Sequence, residues 1–141
     1  MKRRGAIAAT LVLGLLVVTL PGAAQQTASG KLATELARAK ADAAHKTFDV
    51  VWKNNKEGLV PFGELTYRWS RRWLEAELEL SAKNTDKARA YQAHLARMQA
   101  LEQSVRDRYR NRVITIEEVS GAEFFTLEAR LWLEQNSPGK K

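Results

Sequence analysis

Tyr109-Arg110-Asn111-Arg112-Val113-Ile114-Thr115-Ile116-Glu117-Glu118-Val119 decides between a strand and the start of a helix. Arg112 to Ile116 is the β-rich window of the chain. Its surroundings favour helix. Thr115 and Glu118 have the spacing of a capping box, in which hydroxyl and carboxylate each take one of the orphan amides of a first turn. Ile114 and Val119 stand where a hydrophobic staple closes over that turn. The cap chemistry accounts for the window, and Val119, Phe124, Leu127 and Leu131 then continue a helical stripe to about Asn136.

Three more helices read outward from this point. Leu32, Leu36, Ala39, Ala43 and Val50 recur at spacings of three, four and seven, widened by Phe48 and Val51, and Gly58 suits the left-handed residue that ends a helix. A second helix is expected from Pro61, with Val60 and Leu65 as staple and Glu64 at the positive end of the dipole. Its stripe is Leu65, Trp69, Ala76 and Leu80, broadened by Trp73, Leu74 and Leu78. Asn84 or Thr85 can cap a third helix carrying Ala88, Tyr91, Leu95, Met98, Leu101, Val105 and Tyr109. That spacing, close to 3.5 residues, suits near-parallel neighbours. No stretch alternates long enough to argue a strand. The expected fold is all-α, an up-down antiparallel four-helix arrangement made of two αα-hairpins.

The 141 residues suit one domain, and zero Cys removes disulfide scaffolds, thiolate catalysis and Cys-based zinc sites. Lys2, Arg3 and Arg4 precede an uncharged run, Ala6 to Leu20, and Pro21-Gly22-Ala23-Ala24 places small residues before a cleavage point. Residues 1–24 therefore read as a secretory signal peptide, with an uncleaved anchor as the alternative. The run is short of the roughly 20 residues that span a bilayer. Cleavage would lower the net charge from +7 to +4, with 20 basic against 16 acidic residues remaining. The expected location is periplasmic or cell-envelope associated. Anionic envelope surfaces or an envelope protein are the expected partners, nucleic acid is excluded, and no transmembrane span remains after cleavage. Residues 25–30 read as a flexible linker, 31–136 as the helical domain and 137–141 as a disordered tail.

The helical domain divides into repeats over 31–83 and 84–136. Gly58-Leu59-Val60-Pro61-Phe62-Gly63-Glu64-Leu65 matches Arg112-Val113-Ile114-Thr115-Ile116-Glu117-Glu118-Val119 at an offset of 54, and Leu74-Glu75-Ala76-Glu77-Leu78 matches Leu127-Glu128-Ala129-Arg130-Leu131 at an offset of 53. This pattern resembles the helical repeats of the TolC-type outer-membrane efflux proteins. Tyr109 to Val119 carries the resemblance best, although Arg112 stands where that pattern has Gly. The first repeat has Asn55 at the aromatic position and Pro61 at the cap. The resemblance implies kinship with the periplasmic helical part of those proteins. The chain lacks the alternating strands of about ten residues that build their membrane barrel.

Candidate chemistry is sparse. Asp42 and His45 have half the spacing of a di-iron bundle site, without the second half. His94 lacks a partner in the sequence and reads as structural or exposed. Met98 with a His is thin support for haem. Glu75, Glu77 and Glu79 fan around a helix, and Ser70 and Ser104 have no neighbouring His–acid arrangement, so no nucleophile is read. No catalytic, metal or cofactor residue is assigned.

The basic residues form the candidate surface. Arg68, Arg71 and Arg72 on the second helix and Arg106, Arg108, Arg110 and Arg112 at the end of the third would meet Lys53 and Lys56 at one end of an up-down bundle. Local pairing with Glu57, Asp107, Glu117 and Glu118 is the structural alternative. Trp69, Trp73, Tyr109 and Phe125 are candidate core or interface aromatics. The expected protein is a non-enzymatic exported scaffold or interaction module, with a homo-oligomer admitted. The alternative is a small periplasmic helical chaperone.

Overall fold

The computed structural model describes residues 22–59 and 63–137. Four helices occupy them: α1 Gly22–Lys56, α2 Gly63–Leu80, α3 Asn84–Arg110 and α4 Ile116–Asn136. No strand occurs among the described residues, and the β-rich window resolves as the turn after α3 and the cap of α4, with Ile116 as the first helical residue. Glu118 there accepts the Thr115 amide proton at 3.3 Å, closing the capping box. Most of the signal segment, the proposed Val60 staple with Pro61, and the tail from residue 138 lie outside the described residues.

Each helix runs antiparallel to its neighbour in sequence. Lys40 Nζ meets Glu79 at 2.7 Å between α1 and α2, and Thr126 Oγ1 donates to the Met98 carbonyl at 3.2 Å between α4 and α3. α1 packs on α2, and α3 on α4. α2 lies between them and touches α3 and, more lightly, α4; no comparable contact joins α1 to α4. The core is Met98, Leu101, Val105, Val119, Ala122 and Ala129, ringed by Trp52, Tyr67, Leu95, Ile114 and Phe125.

Several sequence expectations change. α1 has 35 residues against 18 in α2. It runs through residues 25–30, read as linker, and its first half extends about 25 Å beyond the end of α2 at 1.5 Å per residue. The stripe Leu32, Leu36 and Val50 is exposed, and the buried line is Ala41, Ala44, Phe48, Val51 and Asn55. On α4, Phe124, Leu127 and Leu131 are exposed, while Val119, Ala122, Thr126 and Ala129 are buried. α2 turns Thr66 and Ser70 inward beside Leu74 and Ala76. The common cause is size: small side chains on α2 and α4 let helix axes approach closely, so the larger residues are left at the margins. Lys83, not Asn84 or Thr85, occupies the cap position of α3 and makes no side-chain cap bond.

The turns after α1 and α3 are alike. Gly58 has φ 74° and Arg112 φ 60°. Gly58 N–H donates to Asn55 O and Leu59 N–H to Asn54 O, while Arg112 N–H donates to Tyr109 O and Val113 N–H to Arg108 O. Both are Schellman-type closures, 54 residues apart, with a glycine in the left-handed position of one and an arginine in that of the other.

Candidate functional site

Three features carry chemistry: a buried polar seam, the arginine surface and the outer apolar faces of α1 and α4.

The seam joins α1, α2 and α3. Arg97 Nε–H donates to Ser70 Oγ at 2.7 Å, and Ser70 Oγ lies 2.8 Å from His94 Nδ1. The Ser70 hydroxyl thus joins Arg97 and His94 in one hydrogen-bonded chain, the direction of its bond to His94 following the imidazole tautomer. Nε2 is buried without a hydrogen-bond partner among the described residues. The His94 ring stacks on Trp132 at 5.6 Å. Arg97 lies over the Trp73 ring at 4.0 Å and faces Phe48 of α1 at 5.6 Å. Burial, and then the charges of Arg97 and Arg71, lower the His94 pKa to about 3, so the ring is neutral. Burial also lowers Arg97 to about 10, against the pull of Glu77, whose own pKa burial raises.

The sequence reading left Ser70 without a histidine and His94 without a partner. The structure corrects both, because α2 and α3 face each other at these two positions. Their spacing of 24 residues across a turn gives no short-range signal. The pair resembles an activated hydroxyl, yet Ser70 and His94 have no exposed surface, and a cation rather than a carboxylate completes the chain. The arrangement binds helices together and offers no approach to a substrate.

His45 of the Asp42–His45 pair stacks on Trp73 at 4.0 Å and lies 3.3 Å from Asp49. Among the described residues no group of three or more His, Asp or Glu converges on a metal position. Met98 lies one turn from His94 on α3, both wholly buried. Ser104 is half-buried on α3.

The arginines divide into two groups. Ser70 sits level with His94 and Arg97, so Arg68, Arg71 and Arg72 lie midway along α2. Gly63 backs onto Leu101, so Arg106 to Arg112 lie beyond the start of α2; Arg108 is about 16 Å along α3 from Arg97. The helix ends do meet, but the two basic groups do not form one end. Many of the charges are also paired. Arg68 meets Glu64 at 2.9 Å and Arg71 meets Glu75 at 2.9 Å. Arg106 meets Glu102 at 2.7 Å and Glu123 at 3.3 Å, and Arg110 meets Asp107 at 3.2 Å. Arg72 covers the Trp69 ring at 4.7 Å. Arg108 and Arg112 form no ion pair among the described residues.

The candidate aromatics also divide. Phe125 stacks on Tyr67 at 4.1 Å against the core, and Trp73 is enclosed by His45, Phe48 and Arg97. Trp69 is half-buried under Arg72, and Tyr109 is exposed.

The third feature is apolar. Leu36 on α1 is 62% exposed, and Phe124, Leu127 and Leu131 on α4 are each more than half exposed. Among the described residues no helix is long and apolar enough to cross a membrane. No family model, curated protein or solved structure matches the chain.

Proposed function

We propose that the protein is a non-enzymatic helical scaffold or interaction module of the cell envelope, built from two αα-hairpin units. The observation that carries this reading is the pair of exposed apolar faces on α1 and α4, since ordered apolar rows on outer helices are the usual mark of a docking surface. The closed polar seam supports it, because the Ser70–His94 contact is buried and serves packing. The matching turns at Gly58 and Arg112 support the duplicated hairpin, and with the Tyr109 to Val119 pattern they favour the likeness to TolC-type helical regions. Export rests on residues 2–24.

The double substitution Phe124→Glu and Leu127→Glu tests this function. A docking face predicts unchanged helicity and melting together with lost photo-cross-linking from an adjacent α4 position in intact cells. Loss of folding would instead place these side chains in the core. Intact mass of the envelope fraction tests export, with the mature chain expected to begin at Gln25. The chaperone alternative draws on Leu32 and Leu36, exposed on the part of α1 that extends beyond α2. Suppression of client aggregation, lost on substituting those two leucines, would favour it.

A further inference from the structure

α1 and α4 each have two apolar faces. One line of α1, Ala41, Ala44, Phe48 and Val51, is buried, and a second, Leu32, Leu36, Ala39, Ala43 and Val50, is exposed. At 100° per residue the two lines are more than a quarter turn apart. α4 repeats this arrangement, with Val119, Ala122, Thr126 and Ala129 buried and Ile116, Phe124, Leu127 and Leu131 exposed. The exposed lines have helical spacing, as the buried ones do. They find no partner among the described residues, where α1 and α4 are the outer helices.

The charges of the two helices are opposite. α1 has six Lys and Arg against three Asp and Glu, and α4 has five Glu against one Arg. By helical position, Lys46 and Lys53 flank one side of the exposed α1 line, with Glu35, and Lys40, paired with Glu79 of α2, flanks the other. Glu117 flanks one side of the α4 line, and Glu123, which also meets Arg106 at 3.3 Å, flanks the other with Arg130. Contact between two α1 faces would bring lysines together, and contact between two α4 faces would bring glutamates together. Contact between α1 of one molecule and α4 of another pairs opposite signs along the rims of two apolar rows. α1 and α4 also run in opposite directions, so this contact continues the alternation already present between neighbouring helices.

We infer that a second copy of the chain is the occupant: the exposed α4 face of one molecule docks on the exposed α1 face of the next. The contact is head-to-tail, so every open assembly keeps one free α1 face at one end and one free α4 face at the other for further copies until a ring closes. This deepens the interaction-module reading and rests on it.

Sedimentation of the full chain, purified from the cells that express it, tests the inference over a broad concentration series with two double variants. One carries Leu36→Glu and Val50→Glu on α1, and the other Leu127→Glu and Leu131→Glu on α4. All four positions are more than half exposed, and circular dichroism checks that both variants stay folded. The wild type is expected to associate, with affinity that falls as salt rises. Each variant alone is expected to be monomeric, or at least about tenfold weaker in self-association. Their equimolar mixture is expected to form a one-to-one dimer and nothing larger, because it retains one intact α1 face and one intact α4 face.

Self-association of either variant at wild-type strength would show same-face pairing and overturn the inference. A mixture that stays monomeric would overturn it too. A monomeric wild type that still cross-links to another envelope protein through α4 would overturn self-docking and retain the interaction-module reading. A monomeric wild type without any cross-link would overturn both.

Discussion

The Ser70 hydroxyl on α2 is hydrogen-bonded to His94 Nδ1 on α3 across 2.8 Å, and neither side chain has exposed surface. Arg97 donates to the same hydroxyl at 2.7 Å, so one small oxygen satisfies two larger polar groups. Ser70→Ala strands both of them. The expected loss is about 2–3 kcal/mol in urea unfolding, since each abandoned buried group keeps its desolvation cost. Adding His94→Leu to Ser70→Ala should recover part of that loss, whereas strict additivity would contradict the contact.

His94 also sets a pH dependence. Its pKa in the folded chain is about 3 against an ordinary 6.5. Between these values the unfolded chain binds a proton that the folded chain does not. Its contribution is therefore fully present above about pH 6.5 and is lost as pH falls toward 3, by up to about 1.4 kcal/mol per pH unit. Glu77, whose pKa is raised, acts in the opposite sense, so the comparison must be made with His94→Gln. The stability advantage of the wild type over His94→Gln is expected to shrink from pH 7 to pH 5. A constant difference would contradict a neutral buried ring.

Gly58 and Arg112 occupy equivalent left-handed positions, which cost a side chain about 1 kcal/mol. Arg112→Gly should therefore stabilise the protein by about that amount, and Gly58→Ala should destabilise it similarly. A Cβ at Gly58 meets nothing within 4 Å, so the second effect would arise from the backbone alone. Thermal melts of the two variants should shift in opposite directions.

The Gly58 and Arg112 turns also mark what could be read from the sequence. Gly58, Thr115 and Glu118 act through bonds to residues a few positions away, so their roles were visible in short motifs. Helix existence followed from periodicity for the same reason. The choice of face did not. α1 and α4 each have two apolar lines of helical spacing, and only the approach of a neighbour selects between them. Hydrophobicity favoured Leu127 and Leu131, but close packing selected Ala122, Thr126 and Ala129. Ser70, His94 and Arg97 were hidden because a buried polar cluster spread over two helices has no local signature.

Substitutions along α4 separate these two criteria. Leu131, although larger and more apolar, is more than half exposed, and Ala129 two residues before it has no exposed surface. Leu131→Gln is expected to change unfolding free energy by less than about 0.5 kcal/mol at concentrations where the protein is monomeric. Ala129→Leu inserts three carbons where α4 meets the core and should cost about 1–3 kcal/mol. The matched position on α2, Ala76, is likewise wholly buried, and Ala76→Leu should show a similar loss. The two leucine substitutions increase apolarity and should still destabilise, because helix separation here is set by side-chain volume. A destabilising Leu131→Gln combined with a tolerated Ala129→Leu would reverse the orientation of α4.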